Sequence, residues 1–341
     1  MPQVAVVILN WNGKPYLEKF LPPLIEYTGN DAEIIVADNA STDDSIGFLR
    51  TQFPQIRIIE NAGNEGFARG YNLALKQVDA DYYILLNSDI EVTRGWIEPV
   101  INLMESDPLI GACQPKIRSY YHREHFEYAG AAGGYIDEYG YPFCRGRLFL
   151  TIEEDKGQYD DQVEISWATG ACLFVRSALF HQLGGFDDDF FAHMEEIDFC
   201  WRLHNWGYRV MYCPGSMVYH IGGGTLPKMS WRKTYLNFRN NFMLLYKNLP
   251  SRLMFKVFAI RLLLDGVAAM KFLFQAGFKD FWAVARAHLS FYMALPVLYR
   301  KRKKLRHGSM KMMYKRNLVV EYYLRGKKHF SQLDQNKFFT S

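Results

Sequence analysis

Residues 82–92 read YYILLNSDIEV. Tyr82 to Leu86 is a short apolar run of aromatic and branched side chains, the pattern of a strand buried on both faces. It stops at Asn87-Ser88-Asp89, three small polar residues where the carboxyl end of the strand should lie. Ligands of open α/β sheets sit in the crevice beyond such ends. An acid there can hold a divalent cation against a phosphorylated ligand, because hard cations take carboxylate and phosphate oxygens together. Asn, Ser and Asp are also ordinary turn residues, so the stretch gains meaning from what surrounds it.

On the amino-terminal side, residues 4–9 (VAVVIL), 33–37 and 56–59 read as strands, and 14–27, 46–52 and 67–78 as helices. Pro22 and Pro23 are expected to break or kink the first helix, and Ser41 and Thr42 can cap the second. Beyond residue 92 come a helix around 96–105 and a strand near 110–117. This alternation predicts a mostly parallel, doubly wound sheet. The pattern then changes. Residues 126–143 are rich in Gly and Tyr and read as hairpins or loops, and 148–162 as a polar connection. A buried strand is expected over 166–176 and shorter ones over 208–213 and 217–220, closed by Gly222-Gly223-Gly224, a flexible loop.

A chain of 341 residues, 49% hydrophobic, can bury one large domain and something smaller. Its five cysteines are odd in number and form no CxxC pair. The apolar run at 4–9 is too short for a signal peptide and has no basic flank. A reducing, cytoplasmic compartment is expected. The net charge of +4 hides an asymmetry. Residues 252–341 carry 19 Lys/Arg against 4 Asp/Glu, a net of +15, leaving 21 against 32, a net of −11, for residues 1–251. A basic end implies an anionic partner, a phospholipid surface or a nucleic acid. With no recognised module for nucleic acid, the lipid surface is the expectation.

Polar residues cluster at four strand ends: Asn10 and Asn12, Asp38 and Asn39, Asn64 to Gly66, and Asn87 to Asp89. In a doubly wound sheet these ends line one crevice. Asp38 suits a hydrogen bond from the N–H of a pyrimidine ring, and Gly63 and Gly66 let backbone approach a ligand. There is no GxGxxG after the first strand and no GxxxxGK[ST], which disfavours a dinucleotide fold and a P-loop. Residues 193–198, HMEEID, are the densest candidate for chemistry. On a helix Glu195 and Asp198 share a face, and Asp198 can pair with Arg202. Glu196 has no such local partner and could take a proton from a hydroxyl. His220 ends a strand and could give a ring nitrogen to a metal.

These pieces occur in one order: VAVVILNWNG, IIVADNASTDDS, NAGNEGFARGYN, YYILLNSD, WATGACLFVR, GGFDDDFFAHMEEIDFCWR and VYHIGGGT. Over about the first 225 residues the chain resembles the inverting family 2 glycosyltransferases of the GT-A fold, especially rhamnosyltransferase-like enzymes of bacterial surface polysaccharide synthesis. The resemblance implies a Rossmann-like mixed sheet flanked by helices, with a catalytic domain over 1–228. It implies that Asp38 reads the nucleotide base, with Asn10, Asn12, Asn39, Asn64, Gly66, Arg69, Asn87 and Ser88 in the donor-binding set. Asp89 stands at the place of the family's metal-binding DxD, His220 would be a further ligand of Mg²⁺ or Mn²⁺, and Glu196 would be the catalytic base of the ED-type motif. Two departures matter. Asn87 replaces the first Asp of DxD, so coordination rests more on Asp89; Glu stands for Asp at 196 and lengthens the base by one methylene. The implied reaction moves a sugar from a nucleoside diphosphate sugar to a hydroxyl of a glycan or lipid-linked saccharide in cell-surface glycan biosynthesis. Asp38 favours a dTDP- or UDP-sugar, dTDP-rhamnose among them. A sugar-nucleotide nucleotidyltransferase would carry a Gly-rich, Arg-containing loop after the first strand, which NWNGKPY lacks. A catalytically silent scaffold of a membrane complex is disfavoured by Asp89, Glu196 and His220 occurring together.

Residues 229–341 read as a helical, basic region. An amphipathic helix is expected over 231–248, ending near Pro250. Residues 253–298 are apolar but interrupted by Lys256, Arg261, Asp265, Lys271, Lys279 and Asp280, with no clean run of the ~18 apolar residues a spanning helix needs. Interfacial helices fit better. Residues 300–316, RKRKKLRHGSMKMMYKR, contain no acid, so peripheral attachment to the anionic inner face of the cell membrane is expected. The alternative is a helical hairpin packed on the catalytic domain.

Overall fold

In the computed structural model, which describes residues 2–222, 230–275, 277–307 and 312–338, the apolar runs pair as the alternation predicts. Strands β1 (Val4–Asn10), β2 (Glu33–Asp38), β3 (Arg57–Glu60) and β4 (Tyr82–Asn87) lie parallel in the order β3-β2-β1-β4. Along β1, Val4, Val6 and Ile8 face one apolar core while Ala5 and Val7 face another, the period-two alternation of a strand covered on both sides. Helices α1 (Lys14–Thr28) and α2 (Ser45–Gln52) cover the first face, and α3 (Gly66–Leu75) the second. Of the break or kink expected at Pro22 and Pro23, the break does not occur: α1 runs continuously through both. Leu17, Leu21 and Leu24 anchor it to the sheet on both sides of the prolines, and that burial outweighs the lost backbone bonds.

After β4 follow β5 (Ile90–Val92), α4 (Glu98–Ser106) and β6 (Ile110–Ser119). The Gly- and Tyr-rich stretch folds into a small antiparallel sheet of β7 (Gly134–Ile136), β8 (Pro142–Cys144), β9 (Arg147–Leu148) and β10 (Thr151–Ile152). The chain then adds β11 (Val163–Glu164), β12 (Cys172–Arg176), α5 (Ser177–Gln182), α6 (Glu195–Asn205) and β13 (Arg209–His220). The large sheet has the order β11-β13-β6-β12-β4-β1-β2-β3, with β5 paired to β13. Because β12 runs antiparallel to both β4 and β6, the sheet is mixed. That reversal brings the start of β12 to the carboxyl end of β4, where Asn87 N–H donates to Ala171 O at 3.0 Å.

Helix α7 (Trp231–Asn248) lies where the amphipathic pattern puts it, followed by α8 (Ser251–Gln275) and α9 (Phe278–Lys304). Phe242, Met243, Leu244 and Leu245 of α7 enter the same core as Val7 and Phe199, and Tyr314, Leu318, Phe330 and Phe338 join it from the end of the chain. One expectation is corrected. Among the described residues α9 is long and apolar enough to cross a membrane. The interrupting charges gather at its ends, with Arg286 the exception between Asp280 and Arg300. Gly223 and Gly224 of the glycine run, the boundary near 228 and residues 308–311 of the basic stretch lie outside the described residues.

Candidate active site

The parallel register sets Asn10 opposite Asp38, Asp38 opposite Glu60 and Leu9 opposite Asn87, so the four polar strand ends do share one edge. Asp38 is buried, and its carboxylate accepts from Asn10 Nδ2 at 2.9 Å, Ser41 N–H at 2.8 Å and Ser41 Oγ at 2.6 Å. Asn12 Oδ1 accepts from the Thr42 N–H at 2.7 Å. Asn39 Nδ2 donates to Gly66 O at 2.9 Å, while its Oδ1 accepts from Asn61 Nδ2 at 3.0 Å. Asn64 Oδ1 accepts from Gly66 N–H at 3.1 Å. Asn10, Asn12, Asp38, Asn39, Asn64 and Gly66 thus form one knitted rim, and Asn61, which the sequence reading passed over, is its central strut. Gly66 has φ of 73°, and a Cβ there would lie 2.6 Å from Phe191. The close approach it permits is to the loop that precedes α6. Arg69 sits apart from the rim: it is half exposed, pairs with Glu65 at 2.9 Å, and opens onto a separate cleft of about 640 Å³ with Phe180, Arg202, Lys247 and Lys301.

At the end of β4, Ser88 faces the turn at Gly13, and Asp89 turns inward. Asp89 Oδ1 lies 3.1 Å from His220 Nε2, and His220 Nδ1 lies 3.2 Å from Glu127 Oε2. All three side chains are buried. The contact to Glu127 is an ion pair that lacks hydrogen-bond geometry at Nδ1. Burial opposes every charge here, but the pairing outweighs it: the Glu127 and Asp89 carboxylates push His220 up to about 10. His220 in turn holds both carboxyls below their usual range. Glu127 gave no signal in the sequence, because nothing in its own neighbourhood marks it; β13 delivers its partner.

Once the ion displaces the Nε2 proton of His220, this donor set fits a divalent cation. Two cis ligands of an octahedral ion at ~2.1 Å stand about 3 Å apart, close to the observed Asp89–His220 separation. A carboxylate behind the other ring nitrogen is the usual support of a ligating histidine. Among the described residues no group of three His, Cys, Asp or Glu side chains is arranged to hold a metal by itself, so the remaining positions would fall to ligand phosphates and water, as Mg²⁺ commonly requires.

Glu196 lies in the first turn of α6, beside this edge. A Cβ on Gly170 would stand 3.9 Å from Glu196 Cβ, and Gly170 precedes the Ala171 that holds Asn87. The loop into α6 is strained: Phe191, His193 and Met194 have φ of 64°, 72° and 77°, conformations costly to non-glycine residues. Helices α3 and α7 hold them there: Phe191 O accepts from the Phe67 N–H at 2.7 Å. Buried Asn240 donates through Nδ2 to Phe190 O at 2.9 Å and to Ala192 O and His193 O, each at 2.8 Å. The three carboxylates of the motif diverge in environment. Asp198 is neutralised by Arg202 at 2.9 Å and Lys247 at 2.8 Å, and accepts from Asn248 Nδ2 at 2.8 Å. Glu195 is 4% exposed; burial, then the neighbouring Glu196, push its carboxyl well up. Glu196 is half-buried, its Oε2 has no hydrogen-bond partner, and burial pushes its carboxyl up to about 7. The expected Asp198–Arg202 pair is present; Glu195 and Glu196 each keep one carboxylate oxygen without a hydrogen-bond partner, and Glu196 is the less buried of the two.

The sequence model described as glycosyl transferase family 2 matches residues 5–184. An N-acetylglucosaminyl-diphospho-decaprenol L-rhamnosyltransferase of Mycobacterium tuberculosis is 29% identical over 232 residues, covering 64% of this chain and 75% of the relative. Rhamnosyltransferase WbbL of Escherichia coli is 26% identical over 226 residues, covering 64% and 83%. Among solved structures, GalNAc-T7 with UDP, GalNAc and Mn²⁺ superposes with a TM-score of 0.57 at 15% identity, over 74% of this chain and about half (49%) of that one. The mannosyltransferase PcManGT of Pyrobaculum calidifontis, in complex with GDP-Man and Mn²⁺, gives 0.51 at 17% identity, over 86% and 75%. These likenesses identify the sheet as a GT-A fold.

Proposed function

Because the chain belongs to glycosyl transferase family 2 and is a hexosyltransferase, we propose that it moves a sugar with inversion from a nucleoside diphosphate sugar to a hydroxyl of a lipid-linked or polysaccharide acceptor. The observation that carries this reading is Glu196: a carboxylate with a vacant acceptor oxygen, tuned to about 7, beside the strand-end rim. Asp38 and the asparagine rim bind and orient the nucleotide. Asp89 and His220 would hold Mg²⁺ or Mn²⁺, and such an ion supplies charge neutralisation for the diphosphate. Glu196 takes the acceptor proton as that oxygen attacks the anomeric carbon; the bond from that carbon to the diphosphate oxygen breaks, and the nucleoside diphosphate leaves. The name of the mycobacterial relative supports rhamnose as the sugar and a polyprenyl diphosphate saccharide as the acceptor, with dTDP-rhamnose the favoured donor. The acceptor's lipid and the basic carboxyl-terminal region support a peripheral site on the cytoplasmic face of the membrane.

Donor hydrolysis across a panel of nucleotide sugars, with and without divalent metal, tests the reading. Metal-stimulated hydrolysis of one pyrimidine-linked donor is expected. Release of nucleoside triphosphate from donor and diphosphate would indicate nucleotidyl transfer instead, and no turnover of any donor would sink the proposal.

A further inference from the structure

Helix α8 is built inside out. Its buried positions recur at Val257, Arg261, Asp265 and Ala269, one stripe at i, i+4 spacing, and two of the four are charged. Arg261 donates to Tyr139 O at 2.7 Å and to the Asp265 carboxylate at 3.2 Å, and lies over the Tyr141 ring. The opposite side presents Phe255, Leu263, Val267 and Phe274, between 69% and 88% exposed. A helix on a water-facing surface shows the reverse arrangement. An ion pair turned inward with large apolar side chains outward, and only the basic Arg252, Lys256 and Lys271 exposed among them, is the pattern of a helix at a hydrocarbon boundary.

The apolar face continues beyond α8. Phe278 and Trp282 extend it onto α9, and on the other side Lys271 Nζ stands 5.0 Å from the Tyr323 ring, next to exposed Leu324. Its charges are of one sign. Asp265 is paired with Arg261, and Asp280 accepts from Thr234 Oγ1 at 2.7 Å. Every fully exposed charged side chain over 251–307, among the described residues, is a lysine or arginine. Helix α9, though long enough to span, is tied along α7: at Asp280, through Tyr235 OH to Ser290 Oγ at 3.0 Å, and through Arg302 Nη2 to Leu249 O at 2.7 Å. Crossing a bilayer would sever all three ties.

We infer that the α8–α9 hairpin lies in the plane of an anionic lipid bilayer, with the outer face of α8 sunk at the headgroup–acyl boundary and the basic end of α9 at the phosphates. This deepens, and rests on, the membrane attachment proposed above and is independent of the sugar chemistry.

The test uses the full chain with vesicles of phosphatidylcholine alone and of phosphatidylcholine with phosphatidylglycerol. Wild type should bind the anionic vesicles more tightly, and brominated lipid should quench Trp282, an effect lost in Trp282→Phe. The double variant Leu263→Glu/Val267→Glu should lose about tenfold or more in binding to anionic vesicles, with donor hydrolysis unchanged. Arg300→Glu/Lys303→Glu should weaken binding to anionic vesicles only. If Leu263→Glu/Val267→Glu binds like wild type and quenching is absent, attachment occurs elsewhere and the inference fails while membrane binding stands. If wild type binds no vesicle, both fail. A lipid-free dimer that the same double variant converts to monomer would assign the face to a second copy and overturn the inference.

Discussion

Replacing Glu196 by Gln keeps the side-chain shape but removes its capacity to take a proton, so the substitution isolates the base. General-base catalysis contributes about 10²–10⁴-fold, equivalent to roughly 2.7–5.5 kcal/mol of barrier. Transfer to acceptor should fall by that factor, while donor affinity by calorimetry stays near wild type. The structure also sets the control. Glu195 is more deeply buried, and burial and then Glu196 push its carboxyl well up, so Gln keeps its shape in a site that disfavours its charge. Glu195→Gln should therefore be mild. The pH profile carries a second signature. The base must be ionised, and with its carboxyl raised to about 7, roughly one-tenth is ionised at pH 6 and nine-tenths at pH 8. Wild-type transfer at saturating donor should thus rise about tenfold between those pH values, and the inflection belongs to the Glu195–Glu196 pair. Glu196→Gln should flatten it. A flat wild-type profile, or equal loss in both single variants, would refute the assignment of the base to Glu196.

Asp89→Ala should abolish the part of donor binding that depends on Mg²⁺ or Mn²⁺, read by calorimetry; unaltered metal dependence would reassign the ligand. Glu127→Gln removes the charge behind His220, and Mn²⁺ affinity should fall about 10–100-fold, followed by electron paramagnetic resonance of free Mn²⁺; full retention would make Glu127 a packing residue only. Asn240→Ala removes the side-chain donor of Ala192 O and His193 O in a strained loop, while Phe190 O keeps its bond from Arg239 Nη2, so stability should fall by about 1–3 kcal/mol and transfer should fall more than donor binding does. A denaturant titration beside single-turnover assays distinguishes this from simple unfolding.

What was legible in the sequence was local. The strand ends announce themselves because a buried run must stop where polar side chains begin, and parallel pairing then brings Asn10, Asp38 and Asn87 to one edge. Glu196 stood out because Arg202 supplies a partner for Asp198 within one helical turn. The long-range supports were not legible. Glu127 reaches His220 only through the fold, and Pro22 and Pro23 mislead because their cost is local while the burial that overrides it is tertiary. Asn240 lies in NFRNNF, a stretch that reads as an ordinary amphipathic helix. Yet it clamps carbonyls about fifty residues away, while Lys247 and Asn248 of the same helix satisfy Asp198. Composition marks a change of character near residue 229, but the charge balance under the catalytic loop runs across that point. Without α7, Asp198 would keep Arg202 but lose Lys247 and Asn248, and in the strained loop Phe191 would keep its bond from the Phe67 N–H while Ala192 and His193 would lose their bonds from Asn240. The helix that leads into the α8–α9 hairpin is therefore also one that holds the start of α6, and with it Glu196, in place.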